Sequence, residues 1–188
     1  MRALGQFWAM RQFLFAAMIM GAGTAYAECP APLDITERAA TLIDELRASP
    51  SQQAAQGANA ELWALWLKAP DATAQGLLDR GLFWLRFQNY EAAETSFGAL
   101  ISYCPDYAEG DNQRAYSAFL QMDYARALDD LDRALERSPA HIGAMSGKAL
   151  TLFGLQRDEE AKAVLRDALA LNPWLSERRL LEEDVDPI

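Results

Sequence analysis

The sequence is poor in the residue types that build metal sites and nucleophile–base pairs. Its 188 residues include one histidine, His141, and two cysteines, Cys29 and Cys104. A structural zinc site takes about four ligands from His, Cys and carboxylate side chains, which one histidine and two distant cysteines do not supply. No GxSxG, HExxH or glycine-rich phosphate-binding motif occurs. These absences predict a protein that is not an enzyme and that holds no metal and no cofactor.

The remaining titratable residues do not form a predicted acid–base pair. His141 lies two residues after Pro139. We interpret it as a surface residue at the start of a helix, because a catalytic base needs an oriented partner. Asp129 and Asp130 are adjacent on a predicted helix, where neighbouring side chains point apart. Both carboxylates are therefore expected on a solvated face.

Positive charge and long apolar runs are also scarce. The chain has 17 lysines and arginines against 27 aspartates and glutamates, which gives a formal net charge of −10. Nucleic acids and anionic lipids need basic surface, so we expect neither as a partner. The apolar run near the start of the chain is well short of the ~20 residues that a membrane-spanning helix needs. No stable membrane insertion is expected.

Residues 1–27 have the pattern of a secretory signal peptide. Two arginines are their only charges, and an apolar stretch follows. Ala25 and Ala27 occupy the −3 and −1 positions of a cleavage site before Glu28. We expect export to the periplasm with cleavage between Ala27 and Glu28. Both cysteines follow this site, and in an oxidising compartment they are candidates for a disulfide.

A 34-residue period runs through most of the remaining chain. Pro105, Pro139 and Pro173 are spaced by 34 residues, and similar residues recur at fixed distances before them. The recurring sets are Ala93, Ala127 and Ala161; Phe97, Leu131 and Leu165; Tyr90, Tyr124 and Asp158; and Gly81, Ala115 and Ala149. Such a period indicates a repeated pair of helices. The small residues allow the helices to approach closely, and each proline ends the second helix of its pair.

These residues resemble the tetratricopeptide repeat (TPR) family, whose pattern has a small residue at its eighth position, Tyr at the seventeenth, Ala at the twentieth and twenty-seventh, and Pro at the thirty-second. The resemblance assigns three copies to residues 74–107, 108–141 and 142–175. It implies an all-α fold, a helix–turn–helix solenoid of about three repeats. The family's aromatic residues at positions four and eleven are replaced by Asp111 and Ala118 in the middle copy. We therefore expect the first helix of that copy to pack loosely.

Helical segments are predicted on both sides of the three copies. Residues 28–73 are interpreted as a degenerate N-terminal helical pair with helices at 34–47 and 58–68, the second of which places its tryptophans in the core. Asp34 is the expected cap of the first helix. Residues 176–188 are predicted to form a capping helix and a tail. In this frame, first-helix starts and second-helix ends share one edge, on which both cysteines can lie. The alternative is a buried free thiol at Cys104 and a disordered Cys29.

The resemblance implies that the partner is another protein, because TPR arrays bind a peptide or helix on the concave surface lined by their first helices. The expected contact residues are Leu78, Leu82, Leu85, Arg86, Asn112, Tyr116, Phe119, Leu150 and Phe153, with Glu109, Leu120 and Ser146 beside them. This mainly apolar surface suits an amphipathic helix or an extended segment. Some family members clamp a C-terminal carboxylate with Lys and Asn at two positions that are Leu78 and Leu82 in the first copy here. Such a clamp is not expected.

Three alternatives stay open at this stage. The N-terminal pair or the C-terminal helix could fold into the groove and occupy it. The chain could instead be a structural subunit that associates with itself or with a larger envelope complex. A thiol-redox role for Cys29 and Cys104 ranks last, because Cys104 stands beside acidic residues rather than in the electropositive setting that reactive cysteines need.

Overall fold

The computed structural model describes residues 28–181, and all of its regular structure in that range is helical. The helices are α1 (Thr36–Ala48), α2 (Gln52–Trp66), α3 (Ala72–Arg86), α4 (Tyr90–Tyr103), α5 (Ala108–Leu120), α6 (Tyr124–Arg137), α7 (Ile142–Gly154) and α8 (Asp158–Leu171), followed by a short 3-10 helix, Ser176–Leu181. The expected signal peptide, residues 1–27, and the last part of the expected tail, residues 182–188, lie outside the described residues. Within the described part, no helix has the length and apolar character needed to cross a bilayer.

Helices α3 to α8 form three antiparallel pairs that stack in chain order, as the all-α solenoid prediction requires. The second helices α4, α6 and α8 each end two residues before a proline of the 34-residue period. Several first turns are closed by side chains: Asp71, Asn89 and Asp123 each accept a hydrogen bond from a backbone N–H three residues later. The prediction of a helical solenoid is confirmed.

The small residues of the repeat mark the closest contacts between paired helices. Gly81 in α3 faces the ring of Phe97 in α4, and a methyl group built on Gly81 would overlap that ring. Phe97 has no exposed surface. Ala115 and Ala149, which occupy the equivalent place in α5 and α7, are also buried. The side chain on the second helix is therefore accommodated by the absence of one on the first.

The middle pair is tightly packed, and the prediction of a loose first helix is wrong. Asp111 and Ala118 of α5 both have no exposed surface. Two arginines of α6 reach the Asp111 carboxylate: Arg133 Nε at 3.1 Å and Arg137 Nη1 at 3.2 Å. Because these ion pairs, one of which is a hydrogen bond from Arg133 Nε, compensate the buried carboxylate, a polar residue takes the place of the family's aromatic one.

Asp130, expected on a solvated face, is also fully buried. Its two carboxylate oxygens accept from Arg114 Nε at 2.8 Å and Arg114 Nη2 at 2.7 Å, and Arg133 contacts it as well. The expectation for Asp130 is therefore wrong. The arginines of the middle pair bring the carboxylate into the helix interface, which adjacent acidic residues alone do not indicate.

The N-terminal pair is present as predicted, but it folds back onto the last repeat instead of standing in the place of a first repeat. Arg47 Nε in α1 donates to the Ala170 carbonyl at 2.9 Å. The Trp174 indole N–H donates to the Leu46 carbonyl at 3.0 Å. A shared apolar core joins α1 and α2 to Ile142 and to the segment after α8. The chain therefore closes on itself, with its first described helix against its last repeat.

The ends of the N-terminal helices differ somewhat from the prediction. Asp34 Oδ1 accepts from the Thr36 backbone N–H at 3.0 Å and so holds the start of α1. Helix α2 begins at Gln52, earlier than residue 58, because the Ser51 side chain accepts from the Ala54 N–H at 3.2 Å and caps an additional turn.

Cys29 and Cys104 form a disulfide, as predicted, with their Cα atoms 5.2 Å apart and 75 residues between them in sequence. Cys104 follows α4 and is buried in the core of the first repeat. The bond therefore tethers the segment before α1 to the end of the first repeat, while α1 itself contacts the last one.

Replacing Gly81 by Ala is expected to destabilise the protein even though Ala favours helices. The added methyl group meets the buried Phe97 ring, and overpacking of this kind costs about 1–3 kcal/mol. Gly76 lies in the same helix with nothing near its absent Cβ. Gly76→Ala should therefore raise the free energy of unfolding by about 0.5–1 kcal/mol. Urea unfolding of both variants measures the difference, and equal effects of the two changes would refute the close contact.

Candidate functional site

The fixed point of the site is the aromatic contact between α2 and the start of α7. The rings of Trp66 and His141 are stacked, with centroids 4.1 Å apart and planes at 16°. His141 Nδ1 accepts from the Ala144 N–H at 3.1 Å and caps α7, which leaves Nε2 to donate to Glu109 at 2.7 Å. His141 is 1% exposed, so its interpretation as a surface residue is wrong, although its place at a helix start is right. Trp66 lies outside the repeat, and the repeat pattern gives no signal for this contact.

The Glu109 carboxylate lies at the centre of a buried hydrogen-bond network. It accepts from Gln113 Nε2 at 2.6 Å and from Asn112 Nδ2 at 3.2 Å, in addition to His141. Glu109 is 1% exposed, and Asn112 and Gln113 are also buried. With its oxygens engaged by side chains on its own helix and on α7, the carboxylate fixes the start of α5 relative to α7. It also orients Asn112, one of the predicted groove residues.

Tyr107 fastens the same end of α2. Its hydroxyl donates to the Trp66 carbonyl at 2.6 Å, and the side chain is buried. Burial raises the pKa of the Tyr107 hydroxyl above its usual range, and the nearby carboxylates of Glu109 and Asp79 raise it further. Helix α2 is thus held across the start of α5 and α7 by one hydrogen bond and one ring stack.

A cavity of about 220 Å³ opens between α5 and α7, with Trp63 of α2 as one wall. Its other walls include Tyr116 and Phe119 of α5 and Leu150 of α7. Trp63 rests on Gly143, where a methyl group would overlap the indole. The cavity is therefore bounded by three helices, and its shape depends on a glycine in α7.

Two features of this cavity bear on what it accepts. Tyr116 is 51% exposed at the rim, so the cavity is open to solvent beside it. Thr151 lines the cavity and is fully buried, and its hydroxyl has no hydrogen-bond partner among residues 28–181. The walls are mainly apolar, and the polar side chains among them are Asn112, Gln113, Tyr116 and Thr151.

A larger cleft of about 430 Å³ adjoins the cavity and shares Trp63, Tyr116 and Leu150 with it. Its far wall is formed by Asn59 of α2 and Trp174 after α8. Together the cavity and the cleft are called the α5–α7 groove below. Among the described residues that line it, none is a lysine or an arginine.

The structure brings together only part of the predicted contact surface. Asn112, Tyr116, Phe119 and Leu150 line the α5–α7 groove, as does Ser146. Leu78 does not: it has no exposed surface and lies in the core of the first repeat, so its prediction as a contact residue is wrong.

The remaining predicted residues lie outside the groove. Leu82 and Leu85 are half-buried against the core of the first repeat, Arg86 is exposed at the end of α3, and Phe153 is half-buried in α7. The groove is narrower than predicted because α2 covers one side of it. Trp63, Gly143 and Thr151 belong to the groove but were not predicted, since the sequence does not show where α2 packs.

The chain resembles curated proteins that carry tetratricopeptide repeats, although no family model matches it. A TPR repeat-containing protein of Rhizobium etli is 27% identical over 123 residues, which is 65% of this chain and 60% of that protein. Tetratricopeptide repeat protein 36 of Mus musculus is 33% identical over 110 residues, which is 52% of this chain and 59% of that protein. The matches therefore span about three fifths of the length of these relatives.

Solved TPR domains have the same fold. The TPR domain of Arabidopsis OM64 superposes with a TM-score of 0.56 at 20% identity, covering 58% of this chain and 95% of that one. The first TPR of Spaghetti (RPAP3), bound to the HSP90 peptide SRMEEVD, gives 0.57 at 23%, covering 62% and 97%. The TPR2B domain of yeast Sti1 in a complex with pHsp70 gives 0.55 at 21%, covering 60% and 93%. The solenoid of helical pairs predicted from the prolines and alanines is therefore the fold of these domains.

Ionisation of Tyr107 is expected to weaken the folded state at alkaline pH. Its pKa is raised on folding, so the stabilisation is fully present below the unfolded value of about 10 and is lost as the pH rises above it. Above that pH, the free energy of unfolding of the wild type should fall by about 1.4 kcal/mol per pH unit more steeply than that of Tyr107→Phe.

Urea unfolding of both proteins between neutral pH and about pH 11 measures this difference in slope. At neutral pH, Tyr107→Phe should be less stable by about 1 kcal/mol, because the Trp66 carbonyl loses its donor. Parallel pH profiles for the two proteins would contradict the buried hydrogen bond.

Proposed function

We propose that this tetratricopeptide repeat protein binds a segment of another protein in the α5–α7 groove and carries out no chemistry itself. The observation that carries the proposal is an apolar cavity beside a half-exposed tyrosine, Tyr116, on the first helices of successive repeats. Two solved TPR domains of the same fold are complexes, one with an HSP90 peptide and one with pHsp70. These complexes support peptide binding as the mode of action.

The cavity favours a segment with a large apolar side chain. Tyr116, Phe119 and Leu150 surround a volume of about 220 Å³, and aromatic residues in such pockets supply most of the binding energy of protein interfaces. The Asn112 amide lies in the same walls, so an inserted side chain or backbone with a donor group gains a hydrogen bond there.

The charge of the groove disfavours an acidic segment. No lysine or arginine is found among the described residues that line it, Glu177 lies at the edge of the larger cleft, and the chain carries a formal net charge of −10. Leu78 and Leu82 stand where a carboxylate clamp would have polar residues, and Leu78 is buried. A neutral or basic segment therefore fits better than an acidic one such as SRMEEVD.

The proposed location is the periplasm, after removal of residues 1–27. The Cys29–Cys104 disulfide supports it, because disulfides persist in oxidising compartments and Cys29 is the second residue after the expected cleavage site. The chain is expressed with its own leader in a Gram-negative host, and the cells are fractionated. The protein should be found in the periplasm, with the mass of a chain that begins at Glu28. A cytoplasmic protein of full mass would contradict export.

Binding is tested with a random peptide library on a solid support, followed by fluorescence anisotropy of the selected peptides. The selected peptides should be neutral or basic and share a large apolar residue. Tyr116→Ala should weaken their binding at least about tenfold, because it removes a groove wall. Met122→Ala is the matched control: Met122 is 73% exposed, lies outside the groove and should leave affinity unchanged.

The SRMEEVD peptide serves as the acidic probe in the same assay. It should bind more weakly than the selected peptides. Selection of acidic peptides, or equal affinity of the wild type and Tyr116→Ala, would refute the groove as the binding site.

A further inference from the structure

The face of α3 that points away from α5 is aromatic and uncovered. Phe83 is 44% exposed and Phe87 is 67% exposed. Their ring centroids lie 4.7 Å apart, and Phe83 also contacts Trp84 at 5.1 Å. Leu77 and Trp84 line an open cleft between α3 and α4 beside them. Leu77, Phe83, Trp84 and Phe87 therefore form a connected apolar surface, which together with the cleft beside it is called the α3 end face below.

The repeats show what such a face normally contacts. Residues at the positions of Phe83 and Trp84 recur 34 and 68 residues later in the sequence, in α5 and α7. They are Ser117, Ala118, Thr151 and Leu152, and each is at most 1% exposed. Ser117 Oγ, for example, bonds the Tyr90 carbonyl of the preceding repeat at 3.3 Å. The α3 end face is thus a repeat–repeat contact surface, and such surfaces need a cover at the end of a solenoid.

The N-terminal pair does not supply that cover, because it is bound elsewhere. Helix α1 contacts the end of α8 through Arg47 and Leu46, and α2 lies across the starts of α5 and α7. The last repeat is itself covered by α1 and by the 3-10 helix. A second copy therefore has no open last repeat to offer for head-to-tail stacking, and the remaining arrangement is symmetric, with one α3 end face on another.

The charges on the α3 end face match such a symmetric contact. Arg80 and Glu91 line the same cleft, and neither forms an ion pair within residues 28–181. Lys148, 68 residues after Arg80 at the same repeat position, pairs with Asp132 of the preceding repeat at 2.5 Å. Across a two-fold axis, Arg80 of each copy would meet Glu91 of the other, so that each of the two charges gains a partner.

We propose that two copies of this chain associate through their α3 end faces, with the aromatic cluster at the centre and reciprocal Arg80–Glu91 pairs at its edge. This association is separate from the groove: the residues of the two surfaces do not overlap. It leaves the α5–α7 groove of each copy free for a partner segment.

Sedimentation velocity of the full chain tests the proposal, over concentrations from about 5 to 500 µM, a range that covers weak interfaces. The wild type should shift from monomer to dimer mass. Arg80→Glu and Glu91→Arg should each weaken dimerisation at least about tenfold by placing like charges together. The double variant R80E/E91R should restore it, because the reciprocal pairs reform with reversed sign.

Two controls keep the test independent of misfolding. Arg166→Glu makes the same charge change at an exposed position of α8, outside both surfaces, and should leave dimerisation unchanged. Phe87→Asp should abolish the dimer while the helical circular dichroism and the melting temperature stay near those of the wild type, since Phe87 is mostly exposed. A wild type that is monomeric at all concentrations, or single and double charge variants that dimerise equally, would overturn the proposal.

Discussion

The stacking of Trp66 on His141 determines where the N-terminal helical pair lies, and the rest of the surface depends on that placement. The imidazole is held from both sides: its Nδ1 caps α7, and its Nε2 meets the buried Glu109 carboxylate. The ring therefore has a fixed orientation before Trp66 packs on it. Tyr107 adds a hydrogen bond to the Trp66 backbone, so the end of α2 is attached to the starts of α5 and α7 at the same point.

Two surfaces follow from this placement, the α5–α7 groove and the α3 end face. On the concave side, α2 contributes Trp63 to the α5–α7 groove, which turns an open curve into a bounded cavity. At the end of the stack, the placement of α2 leaves the α3 end face without the neighbouring helices that cover the equivalent residues of α5 and α7. The disulfide secures the arrangement by fixing the segment before α1 to the first repeat, while α1 itself reaches the last repeat.

The parts of the fold that repeat could be predicted from the sequence, and the parts that occur once could not. Proline and alanine spacing was sufficient for the helix pairs, because each copy faces the same packing problem and solves it with the same small residues. The shared edge of those pairs made Cys29 and Cys104 a candidate pair, and the structure shows the bond. The position of α2 is different. Its apolar face can be buried equally well against the end of the stack or against the edge of the stack, and the periodicity of the sequence does not distinguish these two positions.

The same reason explains the errors at the candidate site. Asn112, Tyr116 and Phe119 line the cavity, as expected from their place on a first helix, and their contact with a partner remains a prediction. Leu78 does not line the groove, because in the first repeat its side chain lies in the core between the two helices. The buried state of His141 depends on an aromatic residue outside the repeat.

The central claim, that the N-terminal pair folds back onto the last repeat, is tested most directly by nuclear Overhauser effects from the tryptophan indole protons. The account predicts cross-peaks between the indole N–H of Trp174 and protons of Leu46 and Arg47. Leu46 is 128 residues away from Trp174 in the sequence. Cross-peaks from α1 or α2 to Trp84 and Phe87 on the α3 end face, with none at Trp174, would show a conventional stack and contradict the account.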